Sequence, residues 1–311
     1  MALDPRALEE KLDTLGIREG TANTDYTKQA KKTLAGASGG FSFFSGSKED
    51  KLQNAAELFV QAGNAYKMEG KNKEAGTAFE QAAKIHRDRL NEPDDAANIM
   101  VDAFKVYRKD NPEDAVRCLG MAIDRYTQKG NFRRAASHKE NEGEVLEEEL
   151  GDRRRAMESY EKAAQWYEGD GANALANKLW LKVADIAALE GDYHRAIQNF
   201  EKVADSSLDN HLMKYSVKEY FFKAGICILA TKDLVSARRN IERYREKDPS
   251  FGGQREFKLL SALIEAVEAG NQEVFTDELY AYDQMSRLDK WKTELLVKIK
   301  NQIEEADNEF S

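Results

Sequence analysis

Small and large apolar residues alternate along most of this chain at a spacing of four, and the pattern restarts about every twenty residues. Around Ala196, the stretch GDYHRAIQNFEKVA puts Ala196, Phe200 and Ala204 on one helical face. The same triplet recurs as Ala55, Phe59, Gly63; Ala75, Phe79, Ala83; Ala96, Met100, Phe104; and Ala115, Leu119, Ile123. It continues through Ala156, Tyr160, Ala164; Ala176, Trp180, Ala184; and Ser216, Tyr220, Ala224, and weakens at Ala237, Ile241, Arg245.

A step of about twenty residues fits one helix of about fourteen, roughly 21 Å long, and a short turn. Two steps make a hairpin of about forty residues. Alanine and glycine let neighbouring helices approach, and Phe, Tyr, Trp and Leu fill the spaces between them. Gly70, Gly130, Gly151, Gly169, Gly171, Gly191 and Gly270 fall where helices should stop, mostly followed by Asn or Asp able to cap the next. The expectation is an all-α, right-handed solenoid of tetratricopeptide-like hairpins, with a step longer than the usual 34 or so residues. It divides into an N-terminal segment (1–47), the solenoid (48–248) and a C-terminal helical bundle with an acidic tail (249–311).

With 311 residues, 41% hydrophobic and 4 prolines, the chain can bury a long ribbon of core. Charged residues at 33% predict wide wet faces. No run of about eighteen apolar residues exists to span a bilayer, and the charged N-terminus argues against a secretory signal. The two cysteines, Cys118 and Cys227, fall among apolar neighbours on different expected helices and read as buried free thiols in a reducing, cytosolic compartment. A net charge of −9 argues against a general nucleic-acid binder.

Residues 1–47 do not follow the repeat. DPRALEEKL reads as a short helix capped by Asp4 with Pro5 in its first turn, and the following GIREGTANTDYTKQ is polar and without apolar period. Phe41, Phe43 and Phe44 then stand among glycines and serines, which offer them no helical face. Either they fold back on the first hairpin, or they form an exposed tip that enters a membrane surface or a partner. Lys31, Lys32, Lys48 and Lys51 flank that tip and could add attraction to anionic lipid.

One helix departs from the triplet: in GNFRRAASHKENEGEVLEEEL the large apolar slot holds Lys139, with Arg133 and Arg134 beside Ala135. That slot is expected to face water or a ligand. Lys178 and Lys182 are four apart, as are Lys214 and Lys218, and Arg108 and Lys109 end an earlier helix. These cations are either ordinary solvated surface or a basic stripe facing an acidic, elongated partner. After Pro249, Leu259, Leu260, Leu263, Ile264 and Val267 predict a globular helical cap, and Leu288, Trp291, Leu295, Ile299 and Ile303 predict a final amphipathic helix. An acidic tail follows and ends in Phe310, as a frayed end or a docking plug.

No catalytic chemistry is legible. His86, His138, His194 and His211 show no metal spacing, and the glycine-rich GASGGFSFFSGSK lacks the ending of a phosphate loop. No nucleophile elbow or dinucleotide fingerprint occurs. The expectation is a protein that is not an enzyme and needs no cofactor.

Several strings together resemble one family: FSFFSG, AAELFVQAGNAYKM, EAGTAFEQAAKIH, GNFRRAA, SYEKAAQWYEGDGANALANKLWLKVAD, LMKYSVKEYFFKAGIC and YDQMSRLDKWKTELLVKIK. They are similar to the alpha form of the soluble NSF attachment proteins, in a fungal version. The resemblance implies a cytoplasmic, peripheral-membrane adaptor in vesicle fusion. It would bind the four-helix SNARE bundle of syntaxin, synaptobrevin and SNAP-25-like helices, and recruit the hexameric ATPase NSF to pull it apart. It implies membrane contact by Phe41, Phe43 and Phe44, and SNARE contact by Arg108, Lys109, Arg133, Arg134, Lys139, Lys178, Lys182 and Lys214. It implies NSF contact by Asp233, Glu265, Glu268 and Phe310. Two departures stand out: Ser137 occupies a family basic position, and Phe310 replaces a terminal leucine. Residues 12–28 look like an insertion. The other reading of the same pattern is a tetratricopeptide-like scaffold that docks peptides of soluble partners.

Overall fold

A computed structural model describes residues 22–38, 47–210 and 212–309. Among them every regular element is helical. The helices are α1 (Ala22–Ser38), α2 (Lys48–Met68), α3 (Asn72–Ile85), α4 (Pro93–Tyr107), α5 (Pro112–Gln128), α6 (Phe132–Glu148) and α7 (Arg153–Gly169). They continue as α8 (Asn173–Leu189), α9 (Tyr193–Leu208), α10 (Lys214–Ala230), α11 (Leu234–Lys247), α12 (Arg255–Glu268), α13 (Gln272–Met285) and α14 (Lys290–Glu309). The chain divides into two compact units between Trp166 and Tyr167.

In the first unit each helix from α1 to α6 packs on its successor, so hairpin stacks on hairpin. The expected triplets form that core: Ala75, Phe79 and Ala83, and Ala115, Leu119 and Ile123, are all nearly sealed from solvent. Glycines mark the closest approaches. A Cβ at Gly76 would sit 2.2 Å from the Tyr107 ring, and one at Gly143 2.6 Å from the Tyr160 ring. The turns also follow the expected punctuation. Gly130 and Gly191 take φ of 72° and 86°, and the next residues, Asn131 and Asp192, accept the backbone N–H of Arg134 and Arg195.

Helix α1 was not expected: the stretch read as aperiodic is helical from Ala22 and buries Ala30 and Ala37 against α2. The masking agent is size, since alanine leaves little hydrophobic signal. A second difference is the π turn His86–Leu90, which closes on Asn91 in the left-handed region at φ 57°. Phe41, Phe43, Phe44, His211 and Phe310 lie outside the described residues.

In the second unit α8, α9 and α10 stack in order, and α14 lies against both α10 and α8. Trp291 of α14 donates its indole N–H to the Asp185 carbonyl at 2.9 Å, and Lys298 donates to the Leu189 carbonyl at 3.1 Å. Lys223 pairs with the Asp185 carboxylate at 2.7 Å and lies over the Trp291 ring. Lys292, almost buried, pairs with Glu219 and Asp289. One register differs from expectation. In α10 the sealed row is Val217, Phe221 and Gly225, one residue beyond the expected Ser216, Tyr220 and Ala224. Ala224 is buried too, because the second half of α10 is enclosed on all sides. Phe221 stacks on Tyr244 at 4.5 Å, and a Cβ at Gly225 would meet Leu260 at 2.4 Å.

Cys118 and Cys227 are buried free thiols. Burial pushes the Cys118 thiol up to about 12 and raises that of Cys227 as well, so neither is a ready nucleophile. Among the described residues no helix is long and apolar enough to cross a membrane.

Candidate functional site

Helix ends, more than helix faces, carry the charged candidates. In the first unit, Arg133 and Arg134 open α6 and are exposed. The Arg134 guanidinium lies 4.3 Å over the Tyr126 ring and donates to Asn98 at 2.9 Å, which holds it in one orientation. His138, one turn on, stacks on the same Tyr126 ring at 5.3 Å. Burial, helped by the nearby cations Arg134 and Lys105, lowers its pKa and keeps the imidazole neutral. Ser137 is exposed beside it.

Lys139 stands in the core slot as expected, but its ammonium does not face open water. It pairs at 2.5 Å with Glu142, a nearly buried carboxylate that also accepts from the Ser159 hydroxyl at 3.2 Å. Arg108 is likewise engaged, by Glu144, Glu148 and Glu149 at 3.7, 3.1 and 3.7 Å. Those acids end α6, about 22 Å along its axis from Arg133. Arg108 and exposed Lys109 therefore do not lie with Arg133 and Arg134 at the start of α6. Sequence spacing alone hid this, since Glu148 is 40 residues from Arg108.

The second unit places its candidate cations and its candidate acids at different helix ends. Short turns make α8 and α10 run in the same direction on either side of α9, and the Lys223–Asp185 pair sets them level. Lys178 is exposed and Lys182 half-buried in the first ten residues of α8; Lys214 is the first residue of α10 and exposed. Lys214 and Lys218 border an open cavity of about 350 Å³ with Tyr215, Asp248, Ser250 and Gln254. A cation at a helix N-terminus opposes the helix dipole at a cost of about 0.3 to 1 kcal/mol. Folding therefore gives no reason for Lys214.

Sequence reasoning missed two apolar residues at this end: Leu212 and Tyr215 are 90% and 85% exposed. The signal was present in LMKYSVKEY, because once Val217 and Phe221 are the core row, Tyr215 must point away from it.

The acids gather at the opposite end of α10, about 25 Å from Lys214. Asp233 follows α10 and caps α11, accepting the Ser236 N–H at 2.8 Å. Glu265 and Glu268 stand in the last turn of α12, exposed, and Arg238 of α11 pairs with Glu268. That pairing raises the Arg238 pKa and ties the two helix ends together. Val235 is 79% exposed alongside.

One arrangement departs from the expected lack of metal spacing. The π turn winds His86 back so that its ligand atoms and those of Glu92 and Asp95 come within 4.8 Å of one another. His86 Nδ1 already hydrogen-bonds Glu92 at 2.8 Å, which locks the turn to the start of α4.

The described residues thus present basic helix ends and an acidic helix end. The sequence profile described as "Soluble NSF attachment protein, SNAP" matches residues 21–304. The chain belongs to the soluble NSF attachment protein family. A "Probable vesicular-fusion protein sec17 homolog" of Neurospora crassa is 59% identical over 311 residues, covering 100% of each chain. One of the same description from Schizosaccharomyces pombe is 44% identical over 290 residues, 93% of this chain and 99% of the other. The "Alpha-soluble NSF attachment protein" of Homo sapiens is 41% identical over 265 residues, 85% and 89% of the two chains. The resemblance to alpha-type and fungal SNAP-family members thus holds along the chain. Every candidate residue falls within the matched span except Phe310.

Proposed function

We propose that this SNAP-family chain is an adaptor without chemistry of its own, which binds assembled SNARE bundles and hands them to the ATPase NSF during vesicle fusion. The observation that carries the reading is the sign separation along α10 in the second unit: cations with exposed Leu212 and Tyr215 at its start, acids at its end. A protein that couples an acidic helical rod to a different partner needs two such ends that do not compete. The exposed cations at the start of α6 supply further contacts to the rod. Their individual worth is small, about 0.2 to 1 kcal/mol per exposed pair and screened by salt, so several contacts must act together.

The relatives' vesicular-fusion names support bringing this role to the chain, with a cytoplasmic, peripheral-membrane location. In this reading Phe41, Phe43 and Phe44 attach the adaptor to the bilayer that the SNAREs occupy, which raises effective concentration in place of adding protein contacts. Phe310 and the acidic tail belong to the NSF side.

Liposome flotation tests the membrane half. Phe43→Ser with Phe44→Ser should leave SNARE binding in solution intact and abolish flotation; unchanged flotation would favour a scaffold for soluble partners. Pull-down on an assembled SNARE bundle tests the basic end. Lys178→Glu with Lys182→Glu should release the bundle while the fold is retained, and undiminished binding would exclude that end.

A further inference from the structure

The first helices of the solenoid enclose an open cavity of about 490 Å³ that neither partner reading uses. Phe59 and Tyr66 of α2 form its floor, Thr27 and Lys31 of α1 one wall, and Thr77 and Gln81 of α3 the other. It is wide because α1 is thin. That helix turns Ala30 and Ala37 inward and offers the cavity no large apolar side chain. Tyr66 is left half-buried, and Met68, at the end of α2, is 90% exposed. A solenoid needs a cap at such an open end.

The residues that precede α1 carry the same punctuation as the hairpins after it. Asp4 and Pro5 suit a helix start, Leu8, Leu12 and Leu15 share one helical face, and Gly16 follows where a helix would stop. Gly20 then falls two residues before Ala22 opens α1. A helix over 5–15, a glycine-bearing turn over 16–21 and a returning α1 make one more hairpin. Residues 12–28, which read as an insertion, supply Leu12, Leu15 and that turn. The family profile begins at residue 21 and does not account for them.

Length, place and charge agree with that use. Thr27 and Tyr66 border the same cavity, and Ala22 stands about 7.5 Å from Thr27 along the axis of α1, so the preceding chain leaves beside it. Six connecting residues reach up to about 20 Å. Phe59 and Tyr66 are seven residues apart, as are Leu8 and Leu15, and each pair spans about 10.5 Å of helix. Glu9 borders the leucine stripe on one side and Lys11 on the other, while the rims carry Lys31 on α1 and Lys73 with Glu74 on α3. Both border charges therefore find an opposite one on the rims.

We propose that residues 5–15 of this chain dock in the cavity as a helix, with Leu8, Leu12 and Leu15 on Phe59 and Tyr66, and cap the solenoid. Three leucines would hold a free peptide only weakly. A tether of six residues presents them at an effective concentration in the millimolar range, which an outside helix of the same kind does not reach.

Hydrogen exchange on the full-length chain tests the docking. Amides of residues 8–15 should exchange at least about tenfold more slowly than in a free peptide of that sequence, whatever the protein concentration. Leu8→Asp with Leu12→Asp should return them to the peptide rate and raise oxidative labelling of Tyr66. Gln81→Trp and Thr27→Trp, which fill the cavity from opposite walls, should also release the segment; should one of them lower the melting temperature, the other decides. Exchange at the peptide rate in the wild type would overturn the proposal. Slow exchange that survives both fillings, or Tyr66 labelling unchanged in the leucine variant, would place the segment elsewhere and overturn it too. Slow exchange that appears only at high protein concentration would put the segment on a second copy, with the same result.

Discussion

The two ends of the second unit make different uses of charge. At the start of α10 Lys214 sits where the helix dipole disfavours it and two apolar side chains beside it are left in water, while Lys218, one turn on, pairs with the Glu256 carboxylate at 3.4 Å. At the other end the acids serve the fold as well, with Asp233 capping α11 and Glu268 holding Arg238 across to α12. The difference teaches that an interaction surface is easiest to recognise where it costs stability, and hardest where the same side chain also stabilises the fold. Variants can separate the two uses, because stability and binding should move together at Asp233 and Glu268 and independently at Glu265 and Lys214.

The largest effect should come from breaking the scaffold that both ends share. Phe221→Ala removes a fully buried ring stacked on Tyr244, and should cost about 3 to 5 kcal/mol in urea unfolding. Both binding activities should fall together with it; loss of only one would show that the ends do not depend on a common core. Next comes Lys178→Glu with Lys182→Glu. Reversing one exposed and one half-buried lysine should weaken SNARE-bundle binding about tenfold at low salt, with unfolding shifted by no more than about 1 kcal/mol.

Asp233→Ala should lower stability by about 1 kcal/mol through its lost cap, and weaken NSF binding as well. Glu265→Ala, which caps nothing, should weaken binding with no stability change, and Asp233→Asn should restore the cap without the charge. The smallest effect concerns the first unit. His138 is held below its ordinary value of 6.5, so the unfolded chain takes up its proton first as the pH falls. Stability should therefore drop from about pH 6.5 downward through the folded-state pKa and then level off. His138→Gln should show a shallower decline in thermal melts between neutral and mildly acidic pH.

Much of the scaffold was legible because small and large apolar residues alternate at helical spacing, as at Ala115, Leu119 and Ile123. Helix α1 was not, since its buried face is built from alanines, Ala30 and Ala37. The α10 register slipped because the connection after Leu208 is longer than the ones just before and after α8, carrying the core row to Val217 and Phe221. Candidate charges were visible one by one, and the basic pair spacing of Lys178 and Lys182 was explicit. What spacing did not reveal is partnering. Arg108 meets Glu144, Glu148 and Glu149 only after α5 has folded back, and Lys139 is neutralised by Glu142, itself supported by Ser159 from the next helix. The Arg238–Glu268 pair across the acidic end was hidden for the same reason.

A single reconstitution examines whether one chain joins two partners through opposite ends. Full-length protein is mixed with NSF, ATP and an assembled SNARE complex, and the release of individual SNAREs is followed over time for wild type, Lys178→Glu with Lys182→Glu, and Asp233→Lys with Glu265→Lys. Wild type should drive release, the first variant should fail while still retaining NSF, and the second should fail while still coating the SNARE complex. Release by both variants at the wild-type rate, or none with wild type, would contradict the two-ended adaptor.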